Sequence, residues 1–273
     1  YTPRQPGFYH AQAAYNEQYI SKGHILYSTV CCFFEMQSQE SVCIPIIPDG
    51  CTDLIFLLED DAVPALLGCA EHLSAMKVDR RRRLFGVRLL PGAVSRIFGT
   101  DPIELLNHKV ILYDWAKVFS NLTKRLSKAE SFSERVLYAI EFFAGLLEQA
   151  AASEWLLEKC LGVIAESGGR IGMVELTEQT RWYSERYVRK FFKSKVGLSP
   201  KKFCNIVRLQ SSVITILESP DLTLACVAAE NGYHDQSHMN RDFLKYLGVP
   251  SSRIAYEHLL SKCISISNTE YYV

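Results

Sequence analysis

Four polar side chains near the C-terminal end have the chemistry to contact DNA bases: Gln236, Ser237, Asn240 and Arg241. They follow Asp235, which can cap a helix whose buried side would be Met239, Phe243 and Leu247. Arginine pairs with guanine, glutamine and asparagine pair with adenine, and serine pairs with either. With the preceding Asn231-Gly232 turn, this pattern predicts a helix-turn-helix whose second helix enters the major groove.

A second segment of the same kind lies closer to the middle of the chain. Ser184 can cap a helix with Val188, Phe191 and Phe192 inward. Three basic residues of that helix would then project outward: Arg186, Arg189 and Lys190. Residues 181–208 hold nine basic side chains and one acid, a net charge of +8 (nine minus one). Such charge can neutralise DNA phosphates, and Lys193, Lys201 and Lys202 are the candidates for this role.

The two segments form an internal repeat with an offset of 51 residues. The matched pairs are Leu176 with Val227, Ser184 with Asp235, Val188 with Met239, Lys190 with Arg241, Phe192 with Phe243, and Gly197 with Gly248. Each copy predicts a short helix, a turn, and a capped helix that ends at glycine. The alternative, a helical bundle with a polar surface, accounts less well for the repeat, the two caps and the local charge.

Residues 200–218 predict the helix that joins the two copies, because apolar residues recur there at helical spacing. About 18 residues at about 1.5 Å each span about 27 Å. This is close to the roughly 34 Å between successive major-groove faces, so one chain could contact two adjacent turns of DNA.

The elements before this region predict a β-rich domain. The 273 residues suffice for two domains, and the thirty basic and thirty acidic residues cancel. Strands are predicted at 25–34, 42–47, 53–58 and 84–90, and a helix at 93–98, so the fold class is α+β with an N-terminal β-sandwich or barrel. The four arginines at 80–83 predict a solvated loop.

Two apolar helices are predicted after the β region, at 132–147 and 155–164. The face formed by Val136, Ile140, Phe143 and Leu147 would either cover the β domain or form a dimer seam. The sequence has no apolar stretch long enough to span a bilayer and no signal peptide. The nine cysteines include no C-x-x-C pair. A cytoplasmic protein without membrane contact is therefore expected.

The C-terminal motifs resemble those of the AraC/XylS family of bacterial transcription regulators. These motifs are Tyr183-Ser184-x-x-x-Val188-x-x-x-Phe192, Gly197-Leu198-Ser199-Pro200, Arg208-Leu209, Asn231-Gly232-Tyr233, Asp235-Gln236-Ser237-His238 and Phe243 to Gly248-Val249-Pro250. The resemblance covers roughly residues 155–260 and implies a seven-helix domain with two helix-turn-helix units that binds promoter DNA. The base-contacting candidates that it implies are Arg186, Arg189, Lys190, Gln236, Ser237, His238 and Arg241. Thr177, Met239 and the missing Tyr-Arg after the last proline depart from the family pattern.

The N-terminal part resembles the β-rich sensor domain of some of these regulators, in residues 48–56 and 85–93. That resemblance implies effector binding or dimerisation. The expected domains are a β-rich regulatory domain at 1–120, a helical linker at 121–152, a DNA-binding domain at 153–260 and a tail at 261–273. The expected partners are double-stranded promoter DNA and a small-molecule effector, and contacts with RNA polymerase and a homodimer stay open.

Three functions compete for the N-terminal domain. A ligand-responsive regulator would use Asp49, Asp53 and Arg88 as polar anchors, although each could instead form a structural ion pair or turn. A redox or metal sensor would use Cys31, Cys32, Cys43, Cys51 or Cys69, but nothing in the sequence indicates an acidified thiol. An enzyme is disfavoured, since His10, His24, His72 and His108 lack metal-site spacing, and no metal or cofactor is expected.

Overall fold

The computed structural model describes residues 1–59, 62–149, 155–265 and 270–272. Its strands in chain order are β1 (Ala14–Tyr19), β2 (Val30–Gln37), β3 (Val42–Ile46), β4 (Thr52–Leu57), β5 (Ala65–Leu67), β6 (Ser74–Val78), β7 (Arg83–Leu89), β8 (Lys109–Ile111) and β9 (Glu270–Tyr272). One sheet is antiparallel in the order β1-β2-β7-β4-β5-β8. The other has the order β3-β6-β9, with β9 parallel to β6.

The larger sheet is covered on both faces. Phe34 and Leu84 on one face pack with Ile44 and Met76 of the smaller sheet, which makes the N-terminal domain a β-sandwich. The opposite face packs against helices, so β2 is buried at every position except its last. The α+β class predicted from the sequence is confirmed.

A close approach between two strands explains one glycine in the larger sheet. Gly86 pairs with Phe34 across β7 and β2. A Cβ atom on Gly86 would lie 2.1 Å from the Phe34 ring, so the ring covers the space that a side chain would need.

The predicted strands are confirmed in part. β3, β4 and β7 match the predictions within a residue or two at their ends. The predicted strand at 25–34 begins only at Val30, because residues 26–30 form a turn in which Thr29 and Val30 donate to the carbonyl of Leu26. β1, β5, β6 and β8 were missed: β1 is polar and half exposed, and β5 and β8 have three residues each.

The helices in the described ranges cover the sandwich and then form the C-terminal domain. They are α1 (Pro6–His10), α2 (Ala93–Phe98), α3 (Pro102–Leu105), α4 (Ala116–Lys128), α5 (Phe132–Gln149), α6 (Trp155–Glu166), α7 (Met173–Thr180), α8 (Glu185–Val196), α9 (Pro200–Glu218), α10 (Leu224–Glu230), α11 (Gln236–Leu247) and α12 (Tyr256–Ser265). None of those in the described parts of the chain is long and apolar enough to cross a membrane.

Helix α5 packs on the β-sandwich. Val136, Phe143 and Leu147 share a buried core with the larger sheet. The buried Arg135 donates to Glu35 of β2 at 3.0 Å and to the carbonyl of Leu126 at 3.0 Å, which fixes the helix to the sheet. The apolar face of α5 therefore covers the β domain, which was the first of its two predicted roles. A homodimer stays a prediction, and it would need another surface.

The two halves of the chain share one hydrophobic core. Ile47, Leu73 and Ala75 of the sandwich are buried together with residues of α6 to α12. After α12 the chain returns to the sandwich, where β9 pairs with β6 and Tyr271 donates to the carbonyl of Gly68 at 2.9 Å. The domain boundary expected between residues 152 and 153 lies outside the described residues, as do positions 266–269 and 273 of the expected tail.

Candidate DNA interface

The first helix-turn-helix consists of α7 and α8. Ser184 caps α8, because its hydroxyl accepts a hydrogen bond from the backbone N–H of Tyr187 at 3.3 Å. Val188 and Phe192 are fully buried, and Gly197 ends the helix in the left-handed region. The cap, the inward residues and the closing glycine predicted from the sequence are confirmed, although Phe191 is only partly buried.

The outer side of α8 carries the predicted basic residues. Arg186, Arg189 and Lys190 are all exposed. Arg189 also donates two hydrogen bonds to Glu185 Oε1, at 2.8 and 2.6 Å, so this guanidinium already has a partner one turn away. Arg186 and Lys190 are therefore better placed than Arg189 to bind DNA.

The second helix-turn-helix consists of α10 and α11, at the same 51-residue offset. Asp235 caps α11 through a hydrogen bond from the backbone N–H of His238 at 2.7 Å. That bond and the neighbouring His234 side chain lower the pKa of Asp235. Met239, Phe243 and Leu247 are fully buried, as predicted from their spacing.

The outer side of α11 is largely polar and carries two exposed cations, Arg241 and Lys245. Gln236, Ser237 and Arg241 are exposed, and His238 is half-buried against the Tyr233 ring at 5.2 Å. Asn240 was expected to face solvent, but its side chain is hydrogen-bonded within the protein. Its Oδ1 accepts a hydrogen bond from the backbone N–H of Ser251 at 2.9 Å, so it fixes the segment that follows α11.

Helix α9 joins the two units, as the sequence predicted. Its 19 residues span about 28 Å at about 1.5 Å each. Lys193 and Lys201 are exposed, whereas Lys202 forms an ion pair with Glu71 of the sandwich. Arg208 is buried and lies 3.6 Å from Asp242, so it holds α11 against α9 instead of contributing to the surface charge.

The three candidate effector anchors are brought together in the sandwich. Arg88 donates to both carboxylate oxygens of Asp53 at 2.8 Å and lies 3.9 Å from Asp49. Burial raises the pKa of Asp49, and the Arg88 charge opposes this shift. Arg88 is 1% exposed and both of its partners are protein carboxylates. This arrangement is the structural ion pair that the sequence analysis gave as the alternative to effector binding. A role for these residues in effector binding stays a prediction.

The turn that carries Asp49 packs directly on α9. Gln210 donates to the carbonyl of Pro48 at 2.9 Å. A Cβ atom on Gly50 would lie 2.5 Å from the Phe203 ring. Only the turn that contains Asp49 therefore separates the buried ion-pair network of the sandwich from α9, the helix that connects the two helix-turn-helix units.

Sulfur chemistry in the N-terminal domain is disfavoured by burial. Cys31, Cys32, Cys51 and Cys69 are buried, and Cys43 is partly exposed. The contact with Cys31 and burial raise the pKa of Cys32 well above its usual value, and burial does the same to Cys51. Thiols that are not acidified react slowly. Within the described residues, no cluster of three or more His, Cys, Asp or Glu side chains could hold a metal ion.

Two features of the interface were not predicted from the sequence. Tyr187 lies on the exposed side of α8, stacked between Tyr183 and Phe191. The spacing of these aromatic residues at four-residue intervals would have indicated the stack. Glu71 binds Lys202, but this contact depends on how the two halves pack, so no local signal could have indicated it.

Comparisons with known proteins agree with this architecture. Residues 182–255 match a family model described as a helix-turn-helix domain, and residues 23–111 match one described as a domain of unknown function, DUF6597. No curated protein matches the chain.

Solved structures of ToxT from Vibrio cholerae are similar to this chain. An apo ToxT variant from strain SCE256 has 10% identity and a TM-score of 0.41, over 91% of this chain and 97% of that one. ToxT from Vibrio cholerae O395 has 12% identity and a TM-score of 0.38, over 91% and 96%. Wild-type ToxT from strain SCE256 bound to an unsaturated fatty acid has 12% identity and a TM-score of 0.39, over 90% and 94%.

The two helix-turn-helix units and their family match define a DNA-binding transcription regulator. The match at residues 182–255 lies within the region whose motifs predicted two helix-turn-helix units.

Proposed function

We propose that the protein recognises a specific promoter sequence by placing α8 and α11 in two successive major-groove segments, and that a small-molecule effector in the N-terminal half controls this binding. The observation that supports the first part is the shared geometry of the two units. Each recognition helix has a capped N-terminus and an exposed outer side, and a single helix of about 28 Å joins the units.

The outer side chains divide into two roles in this proposal. The base-contacting residues are Arg186, Arg189 and Lys190 of α8, and Gln236, Ser237, His238 and Arg241 of α11. Lys193, Lys201 and Lys202 bind phosphates, Lys202 only after it leaves Glu71. Base contacts carry sequence preference, whereas phosphate contacts carry salt-dependent affinity.

Selection of duplex DNA from a random pool by the full chain tests this role. We expect enriched sites with two conserved segments whose centres are about 10 base pairs apart, because that is one turn of DNA. A pool that shows no enrichment, or enrichment of a single short segment, would contradict the proposal.

Effector control is supported by a cavity of about 290 Å³ between the sandwich and α6. Tyr27, Leu90 and Pro91 line it on one side, and Leu161 and Gly162 line it on the other. A ligand that contacts both halves would bind differently when their arrangement changes, which is the requirement for a switch. Asp49 and its turn, which pack on α9, are the part of the sandwich best placed to transmit such a change.

A thermal-shift screen of the full chain against small metabolites tests effector binding. A Cβ atom on Gly162 would meet nothing within 4 Å, so Gly162→Leu fills the cavity while Gly162→Ala leaves most of it open. We expect a metabolite that raises the melting temperature of the wild type and of Gly162→Ala, but not of Gly162→Leu. Stabilisation that survives in Gly162→Leu would place the ligand elsewhere, and a screen without hits would count against effector control.

A further inference from the structure

Three aromatic rings form a stack along the exposed side of α8. The ring centroids of Tyr183 and Tyr187 are 5.0 Å apart with an interplanar angle of 13°. Those of Tyr187 and Phe191 are 6.0 Å apart with an angle of 10°. Tyr187, the middle ring, is nevertheless 48% exposed, so its edge faces solvent while its two faces are covered by its neighbours.

The position of Tyr187 on the helix is more outward than its aromatic character suggests. At about 100° per residue, Val188, Phe192 and Val196 define the inward direction of α8. Tyr187 lies about 140° from that direction and Arg186 about 120°. Arg189 lies only about 60° from it, and its guanidinium is bound to Glu185. Tyr187 is therefore closer to the middle of the outer side than two of the basic residues assigned to base contact, Arg186 and Arg189.

The stack by itself stabilises the helix only slightly. Side-chain pairs four residues apart add little to the stability of a helix. What the stack also does is restrict the rotamers of Tyr187, so that little side-chain entropy is lost when the ring contacts a partner. Its place in the first turn of the recognition helix is where helix-turn-helix proteins contact base edges.

We propose that Tyr187 is a base-contacting residue of the first helix-turn-helix and that its ring edge recognises the 5-methyl group of a thymine. The thymine methyl is the apolar group among the base edges of the major groove, and it is recognised by apolar contact instead of hydrogen bonding. Lys190 and Arg186 lie on the other side of the outward direction from Tyr187, about 20° and 60° away from it, so the two cations and the ring face the groove together. This inference rests on the proposed function, because α8 must enter the groove.

The test uses the site that the full-length wild type selects from a random duplex pool. Binding is measured for the wild type, Tyr187→Ala and Tyr187→Phe, each with the selected site and with the same site carrying deoxyuridine in place of one thymine at a time. Deoxyuridine removes only the methyl group. Trp182→Ala is the matched control, since Trp182 is 84% exposed and lies outside the stack.

We expect Tyr187→Ala to weaken binding to the selected site about fivefold to tenfold, which is the lower end of the effect of losing one base contact. Tyr187→Phe and Trp182→Ala should keep the wild-type preference for the selected site over nonspecific DNA. One deoxyuridine substitution in the α8 segment is expected to weaken the wild type by a similar factor and Tyr187→Ala hardly at all. Binding to nonspecific DNA is expected to change less than twofold.

Two results would overturn the inference. Equal weakening of specific and nonspecific DNA by Tyr187→Ala would assign the residue to phosphate contact, and equal sensitivity of wild type and variant to every deoxyuridine would exclude methyl recognition. A circular-dichroism melt of Tyr187→Ala verifies that α8 is intact. A wild type that selects no site contradicts the proposed function itself, a result distinct from a selected site that is insensitive to Tyr187.

Discussion

The two helix-turn-helix units have the same framework but expose different chemistry. Each has a capping residue, buried positions four apart and a closing glycine at the same 51-residue offset. Yet α8 exposes four cations beside stacked aromatic rings, whereas α11 exposes amide and hydroxyl groups with only two cations, Arg241 and Lys245. The buried positions of the repeat are thus constrained by packing, and the exposed ones are free to differ in function.

The units also differ in how the sandwich holds them. At the C-terminal end of α11, the backbone N–H of Leu73 donates a hydrogen bond to the carbonyl of Tyr246 at 2.7 Å. His72 Nδ1 lies 3.0 Å from the carbonyl oxygen of Lys245. The corresponding end of α8 has a longer hydrogen bond, from Ser95 to the carbonyl of Lys195 at 3.4 Å. Different polar groups of the N-terminal half therefore contact the C-terminal ends of the two recognition helices.

The largest expected effect tests whether the two frameworks are equivalent. Phe192 and Phe243 occupy the same repeat position and are both fully buried. Replacing either with alanine is expected to cost about 3–5 kcal/mol of unfolding free energy, through lost burial and the cavity that remains. Urea unfolding of the two variants measures this. A loss below 1 kcal/mol for one of them would show that its unit packs differently from the other.

A smaller effect tests the division of roles between the exposed sides. Arg241→Ala is expected to cost about 1–3 kcal/mol at the selected site and to relax one base preference. Lys201→Ala is expected to weaken all sequences alike and to lower the slope of log affinity against log salt by about 1. Affinity measured against salt, with specific and nonspecific duplexes, separates the two. Variants that lower both kinds of binding by one common factor would refute the assignment.

An ion pair between the halves is expected to have an effect of about 1 kcal/mol on DNA binding. Glu71 occupies Lys202, and the Lys202 ammonium lowers the pKa of Glu71 even though burial acts in the opposite direction. In Glu71→Gln, Lys202 is released for a phosphate, so we expect DNA affinity to rise about fivefold with a steeper salt dependence.

Glu40→Gln is the matched control for this change. It removes the same charge from the sandwich at a site where Glu40 pairs with Arg80. The rise in affinity should be absent in Glu40→Gln and in the double variant of Glu71→Gln with Lys202→Gln. A rise that persists in the double variant would mean that Glu71 acts by general repulsion of DNA.

The sequence was most informative where a local pattern determines the structure. The caps at Ser184 and Asp235 and the buried spacing of α8 and α11 depend on neighbours within one or two turns, so they could be predicted. The partners of Asn240, Lys202 and Arg88 come from distant segments, at Ser251, Glu71 and Asp53, and no local pattern contains them. For the same reason the position of β9 could not be predicted.

The smallest expected effect distinguishes the two caps by pH. Ser184 does not titrate in the acid range, whereas Asp235 accepts its hydrogen bond as a carboxylate and its pKa is lowered in the folded protein. A carboxylate with a lowered folded pKa contributes stability above its unfolded pKa, and this contribution is lost as the pH falls through the folded value. We therefore expect Asp235→Asn to lower the melting temperature near pH 7 and to approach the wild type as the pH falls below 4. Ser184→Ala should lower it by a similar amount at both pH values. Melting curves of the three proteins across this range measure the difference, and a pH-independent effect of Asp235→Asn would show that the charge of the cap contributes nothing to α11.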